Sequence, residues 1–466
     1  MRRYIIALLA TVMVACGSDP STSTGSPGSP SLKILSPVSG ASLSSPSVTV
    51  QVTASDDTAV SRLTYRVNGA GEVAVTITPG PTVSASFAVS SLRAGSNTIV
   101  VTAYDTSGQS SSASLNIQVS SSNPSTYPIP SGPTFYVGPG GSNTNDGSRE
   151  RPWATITYAA AQLKPGQILR VLPGTYNEAV SVSVSGTASQ RIVIASDTRW
   201  GAKINAQGAL FGIDVRGSYI DVIGFEVTNS TNSGIISWRP YNRFLFNHVY
   251  GIRAQCDSNG GAGVNMSSPD SSDGAMIGNL VHDIGDLSAG FCTRIHGIYQ
   301  GAPRGTVQNN ITYRARGFGI TTWHAATAVT ISNNLSFANL YGGISVGSGD
   351  NTRGNVAENF LVANNIVVGN PRGISEENNT GVNRFVNNLV WNNTTNWRLQ
   401  TSSHQGSLSL DPGFVNYRPD GSGDYTLSSS SPAIDKGIPE RAPEFDFLAR
   451  PRVQGATLDL GPFEVR

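Results

Sequence analysis

The sequence predicts an all-β chain, with a β-sandwich over residues 32–120 and a parallel β-helix over residues 134–466. Three observations carry that reading. In the first part, period-two runs rich in β-branched residues recur at roughly ten-residue spacing, as in Val48-Thr49-Val50-Gln51-Val52, Leu63-Thr64-Tyr65-Arg66-Val67 and Ile99-Val100-Val101-Thr102-Ala103. In the second, Asn247, Asn279, Asn310, Asn334, Asn365 and Asn388 each precede an apolar or aromatic strand, at separations of 32, 31, 24, 31 and 23 residues. Throughout, 51 glycines and only 13% charged residues suit short strands and turns.

The chain opens Met1-Arg2-Arg3, continues as an apolar run from Tyr4 to Ala15, and reaches Cys16. A charged start, a short apolar stretch and a small residue before the cut describe a secretory signal, too short to span a bilayer. The ending Met13-Val14-Ala15-Cys16 resembles a bacterial lipobox, although leucine is usual where Met13 stands. That resemblance implies lipidation of Cys16 and, with Gly17-Ser18 following, anchorage at the outer membrane or cell surface. No later stretch is apolar for long enough to cross a membrane, so membrane contact is expected through the lipid alone. Residues 17–31, rich in Gly, Ser, Pro and Thr, read as a flexible tether. Cys256 and Cys292 then remain as an even pair in an oxidising compartment and are expected to form a disulfide.

Within the sandwich, the stretch at 95–109 (GSNTIVVTAYDTSGQ) resembles the final hairpin of bacterial Ig-like modules, which implies a spacer. Residues 121–133 read as a second linker. The unit that follows opens with the strand Phe135-Tyr136-Val137, the turn Asn145-Asp146-Gly147 and a short helix over Thr155–Leu163. Next come Pro165-Gly166 and a strand into Pro173-Gly174-Thr175-Tyr176. This order and spacing resembles the N-terminal cap of pectin-lyase-like β-helices, especially family 9 polysaccharide lyases, and implies a right-handed, single-stranded coil.

The asparagine repeat sets a basic rung of about 23–24 residues, three rungs carrying insertions. A rung cannot bury its inward aliphatics alone, so neighbours must stack. Asparagine at a fixed turn position tolerates the left-handed conformation, and its amide can bond to the amides above and below. The six are therefore expected to be structural, in one column. A second register follows: Gly263-Val264, Gly297-Ile298, Gly319-Ile320, Gly343-Ile344 and Gly373-Ile374. Residues 407–466 are expected to form an atypical last coil and cap. Their Asp411-Pro412-Gly413-Phe414-Val415 and Ser431-Pro432-Ala433-Ile434-Asp435 resemble the ends of secreted β-helix proteins.

Chemistry concentrates in one stretch. Arg294-Ile295-His296-Gly297-Ile298-Tyr299-Gln300 is followed one rung later by Gly319-Ile320-Thr321-Thr322-Trp323-His324. Aligning the Gly-Ile pairs sets Tyr299 above Thr321, with Trp323 and His324 just beyond, and Glu376 and Glu377 farther along the same edge. His282, His296 and His324 are three of the five histidines. Cleaving a uronic-acid polymer by elimination needs a cation at the carboxylate, a base for the C5 proton and an acid for the leaving oxygen. The family 9 resemblance implies a lysine base, yet no lysine lies between Lys203 and Lys436, so Lys203 is the one candidate. A His296/Tyr299 base–acid pair fits the residues better, as does an arginine base from Arg294, Arg314 or Arg316. His324 borders the same edge, Trp323 offers a face for a sugar ring, and Arg314 or Arg316 would hold a carboxylate. Asp257, Asp283 and Asp286, with Asp270 and Asp273 nearby, are the candidate ligands for calcium. Glu376 and Glu377, as strand neighbours, point to opposite faces and cannot alone be a glycosidase pair.

A net charge of +1 with no concentrated basic face argues against nucleic acid as a partner. No motif calls for a nucleotide or redox cofactor. The reading is a monomeric, surface-anchored enzyme that degrades a polysaccharide, a β-eliminating lyase on an acidic glycan. A non-catalytic glycan-binding or adhesive protein, or a glycosidase or epimerase on the same coil, stays open.

Overall fold

The computed structural model describes residues 28–43, 48–89, 92, 95–119, 129–349, 356–378 and 380–465. The signal, Cys16, most of the tether and most of the second linker lie outside the described residues, as does part of the insertion after Ser348. The chain divides into two compact units, residues 1–123 and 124–466.

In the first unit, the long strand Val48–Val67 organises the sandwich. Its first part pairs antiparallel with Gly80–Val89 and its last part with Gly95–Asp105, while Ser31–Ser36 adds to its other edge. The period-two alternation turns Val50, Val52, Leu63, Ile99, Val101 and Leu115 into one buried core.

The second unit is a parallel β-helix with three sheets. One coil shows the plan: Thr306–Gln308 lies in sheet one, Ile311–Ala315 in sheet two and Phe318–Thr322 in sheet three. Sheet one stacks 11 strands, from Thr134–Val137 to His404–Gln405. Sheets two and three stack 9 each, ending at Leu389–Trp391 and Thr395–Arg398. Valine, isoleucine and phenylalanine from every coil fill one continuous interior. The Gly-Ile register forms a column in sheet three, with Val264, Ile298, Ile320, Ile344 and Ile374 paired in turn. Glycine is required beside it: a Cβ on Gly263 would come within 2.3 Å of Val281.

The coil's open N-terminal end is plugged by the helix Ile156–Gln162, whose Ile156, Ala159 and Ala160 are buried. Thr155 makes no side-chain cap. Instead the Glu178 carboxylate accepts from the backbone N–H groups of Ile156 and Thr157, at 2.8 and 3.1 Å, satisfying two donors at the helix start.

The six asparagines stand in one column between sheets one and two, all fully buried. Each Oδ1 from Asn279 to Asn388 accepts both the backbone N–H and the side-chain N–H of the asparagine before it, as Asn310 does from Asn279 at 2.9 Å. The left-handed conformation falls one residue earlier than expected. Phe246, Gly278, Asn309, Asn333, Asn364 and Asn387 carry the positive φ, freeing the following amide for the ladder. A shorter ladder, Asn339–Asn370–Asn393, runs between sheets two and three.

Residues 411–465 do not form a last coil. They run back along sheet two, where Tyr425, Leu427, Phe447 and Phe463 bury Tyr313, Leu335, Phe337 and Ile366. The positive-φ asparagines hold this tail through its carbonyls: Asn387 donates to Lys436 at 2.7 Å, Asn364 to Ile438 at 2.8 Å, and Asn309 to Phe445. The coil end is closed instead by Trp397 and Leu399 packing on the core. Sheet two carries outward apolar side chains in its later coils, and those need a cover that a terminal cap would not supply.

Candidate functional site

The coils bearing the first two insertions build a groove on the outer face of sheet three. Residues 253–260 and 285–294 leave the coil between sheets two and three. The Cys256–Cys292 disulfide, with Cα atoms 6.0 Å apart, joins them into one wall. Arg294 Nη1 donates to the Asp257 carbonyl at 3.1 Å across the same junction. Gly260, at φ 58°, permits the contact, since a Cβ there would lie 2.2 Å from the Arg294 carbonyl oxygen.

The groove has a volume of about 570 Å³ and brings together Arg294, His296, Tyr299, Trp323, His324 and Glu377. Tyr299 pairs with Thr321 in the sheet register. Its ring stacks on His324, centroids 5.6 Å apart, and meets His296 edge-on at 5.2 Å. Trp323 and His324 follow the strand Phe318–Thr322, and His324 has φ 54°, which turns the chain at the groove's edge.

His296 departs from the free base expected of it. It is 5% exposed, and its Nδ1 accepts from the Phe318 backbone N–H at 3.3 Å. Burial lowers its pKa to about 3, against a backbone hydrogen bond at Thr293 that works to raise it. An imidazole so held is neutral, its lone pair engaged, and far from the near-neutral affinity that suits a general base. It buttresses Tyr299 from below.

The remaining candidates disperse. Arg314 Nε donates to Asp283 at 2.6 Å on the outer face of sheet two. Arg316 is buried and donates to the carbonyls of Gly290 and Ala289, which shapes the loop. Glu376 is fully buried. Burial works to raise its pKa, but hydrogen bonds from Ser402, Gln400, Asn383 and Thr401 hold it below the usual value. It therefore fastens the last coil. Glu377 does face the groove, paired with Arg372 at 3.1 Å and Arg398 at 2.7 Å.

The three carboxylates expected to bind calcium do not converge. Asp257 closes a turn by accepting from Asn259 and Gly260, and Asp286 caps the single turn Leu287–Ala289. Asp283 is held by His282 and Arg314. Among the described residues, no group of three His, Cys, Asp or Glu side chains is placed to hold a metal ion. Lys203 lies on sheet two, its Nζ 2.8 Å from Glu226 and 2.9 Å from the Tyr250 hydroxyl.

Sequence reasoning missed Phe318 and Tyr341, which also line the groove. Tyr341 lies under the Arg372 guanidinium at 4.3 Å and stacks on exposed Phe291. A signal was available. Three of the five glycines in the Gly-Ile register follow a large residue, His296, Phe318 or Arg372, and each of these packs on the groove's side of the sheet.

Among known proteins, pectate lyase L of Dickeya chrysanthemi is 23% identical over 313 residues, 58% of this chain and 68% of that one. A protein of Bacillus subtilis, YwoF, is 37% identical over 62 residues, 13% of either chain, so the match spans a small part of it. The crystal structure of pectate lyase Pel9A aligns with a TM-score of 0.49 at 17% identity, covering 73% of this chain and 98% of that one. A rhamnogalacturonan lyase gives 0.45 at 14%, covering 64% and 96%. The bacterial Ig domain family matches residues 30–101. The family described as Pel9A-like, right handed beta helix region, matches residues 135–407, the coils and the groove they carry, and the chain belongs to that family.

Proposed function

We propose that this protein is a polysaccharide lyase that cleaves an acidic glycan by β-elimination in the groove on sheet three. Export and attachment to the cell surface through Cys16 complete the reading. The observation that carries it is the Tyr299–His324 stack beside Arg294 in a groove where Glu377, the one lining carboxylate among the described residues, is already paired with two arginines. Among the described residues of the groove, hydrolysis by two facing carboxylates finds one carboxylate, Glu377, and needs a second. The family and the pectate lyase relative support the same class of chemistry.

In this mechanism Arg294 takes the uronate carboxylate. One of its five N–H donors is bound to Asp257, and the others remain for the substrate. Neutralising that carboxylate acidifies the C5 proton, which His324 removes, imidazole being suited to proton transfer near neutral pH. The C4–O bond breaks as C4=C5 forms, and the Tyr299 hydroxyl delivers a proton to the leaving oxygen. Trp323 carries the ring of a neighbouring sugar. His296 holds Tyr299 in place.

The test is purified protein against pectate, alginate and glycosaminoglycans, following the ultraviolet absorbance of unsaturated ends. Absorbance that grows on one acidic glycan is the expected result. New reducing ends without absorbance, or binding without cleavage, would contradict it.

A further inference from the structure

The groove's sheet continues toward the N-terminus past the last groove-lining strand, and there the outer face carries a second aromatic platform. Trp238 follows the strand Ser233–Ser237 and is 37% exposed. Its indole Nε1 donates to Asp214 Oδ1 at 2.7 Å. The other oxygen of Asp214 accepts from Arg216 Nε at 2.8 Å, which sets the guanidinium 6.0 Å from the indole centre. Phe211 meets the indole edge-on at 6.0 Å. One carboxylate thus fixes a flat apolar face and a cation side by side, both open to solvent on their far sides.

The register places this platform in line with the groove. Ile236 pairs with Asn265, Asn265 with Tyr299 and Tyr299 with Thr321, so Trp238 and Trp323 occupy the same position three strands apart. Between them at that position stand Ser267 and Gly301, leaving a floor without large side chains. Three strand spacings of ~4.8 Å separate the tryptophans by roughly 14 Å along the sheet. A pyranose repeat is comparable with one such spacing, so a glycan lying along the sheet reaches both indoles with a short run of sugars between.

We infer that Trp238 and Arg216, fixed by Asp214, form a distal subsite for a uronate residue of the same glycan that occupies the groove. This rests on the reading of that groove as a site for acidic glycans. The sugar's apolar face lies on the indole and its carboxylate meets Arg216, which keeps donors free beyond its bond to Asp214.

The experiment is calorimetric titration of the full chain with oligomers of pectate, alginate and glycosaminoglycans, each in two lengths, one long enough to span both tryptophans and one too short. Wild type is expected to bind the long oligomer about tenfold more tightly, the scale of one well-made contact. Trp238→Ala should bring that ratio close to one, Trp238→Phe should restore part of it, and Arg216→Gln should reduce it only for unesterified oligomers. Unchanged melting temperatures would confirm intact coils. A ratio that survives Trp238→Ala overturns the subsite while leaving the groove reading in place. Wild type that binds neither length overturns the groove reading, and the subsite with it.

Discussion

Sheets two and three are built from the same coils, and each displays two histidines, yet they reach opposite chemical states. On sheet two the polar groups use one another up. His248 Nε2 lies 2.8 Å from His282 Nε2, His282 Nδ1 lies 2.6 Å from Asp283, and Asp283 holds Arg314. Lys203, Glu226 and Tyr250 form a second knot. A run of stacked rings from Tyr250 through His282, Tyr313 and Phe337 leads under Tyr425 of the tail. On sheet three, two loops stand up beside the sheet instead of lying across it, and Arg294, Tyr299, Trp323 and His324 face a groove. What covers a face decides its chemistry, more than which residues it bears. A tail bonded to successive turns covers the later coils of sheet two, whereas loops tied by a disulfide leave a channel on sheet three.

The sharpest way to break that contrast is to remove one histidine from each face. His324→Ala should lower the rate of elimination by about 10²–10⁴-fold, the usual scale for a positioned acid or base. His282→Ala should leave turnover near wild type and instead lower the melting temperature, since it abandons Asp283 and His248 to each other's neighbours.

The wall comes next. Replacing Cys256 and Cys292 with serine opens a loop 36 residues long, which on the chain-entropy account costs roughly 4 kcal/mol. Denaturant unfolding would read that loss. KM should rise more than kcat falls, because Arg294 loses its fixed wall.

A smaller effect lies in the asparagine column. Asn334→Ala would leave the backbone and side-chain N–H groups of Asn310 and the Val307 carbonyl buried without their partner. At ~1–3 kcal/mol for each buried group, partly relieved by relaxation, about 3 kcal/mol of stability should go. An exposed Asn, such as Asn259 in the wall, should cost far less.

The smallest expected effect concerns acid. Burial depresses the His296 pKa to about 3, so between its ordinary value of ~6.5 and 3 the unfolded chain takes up a proton that the folded one refuses. Stability should therefore fall as pH drops through that window, by about 2 kcal/mol at pH 5 from this residue, and level off below it. His296→Asn should flatten the acid limb by that amount. An unchanged limb would mean that His296 is solvated and charged in the folded protein.

The coil was legible because its constraints repeat. Six asparagines, with one Gly-Val and four Gly-Ile pairs in step, admit few other folds, and the cap motif at 134–176 set the start. The groove was legible in part, since the same register carries Tyr299, Trp323 and Arg294 to one face. What sequence could not supply was burial. Nothing in Arg294-Ile295-His296 reveals that Phe318 on the next coil delivers an N–H to the ring, or that Glu376 meets three backbone N–H groups at 400–402. The tail escaped notice for a related reason. The asparagines that hold it lie 49 to 136 residues away, and its own pattern reads as short turns.

Where the chemistry happens is decided by one paired measurement. Elimination rates would be taken for Lys203→Met and Arg294→Ala on the acidic glycan that wild type cleaves, alongside their melting temperatures. If the groove on sheet three is the active site, Lys203→Met retains nearly the full rate and Arg294→Ala loses about 10²-fold or more, on the scale of removing a preorganised transition-state contact, while staying folded. A folded Lys203→Met that has lost its activity, beside an Arg294→Ala that keeps it, would place the base on sheet two and contradict the account.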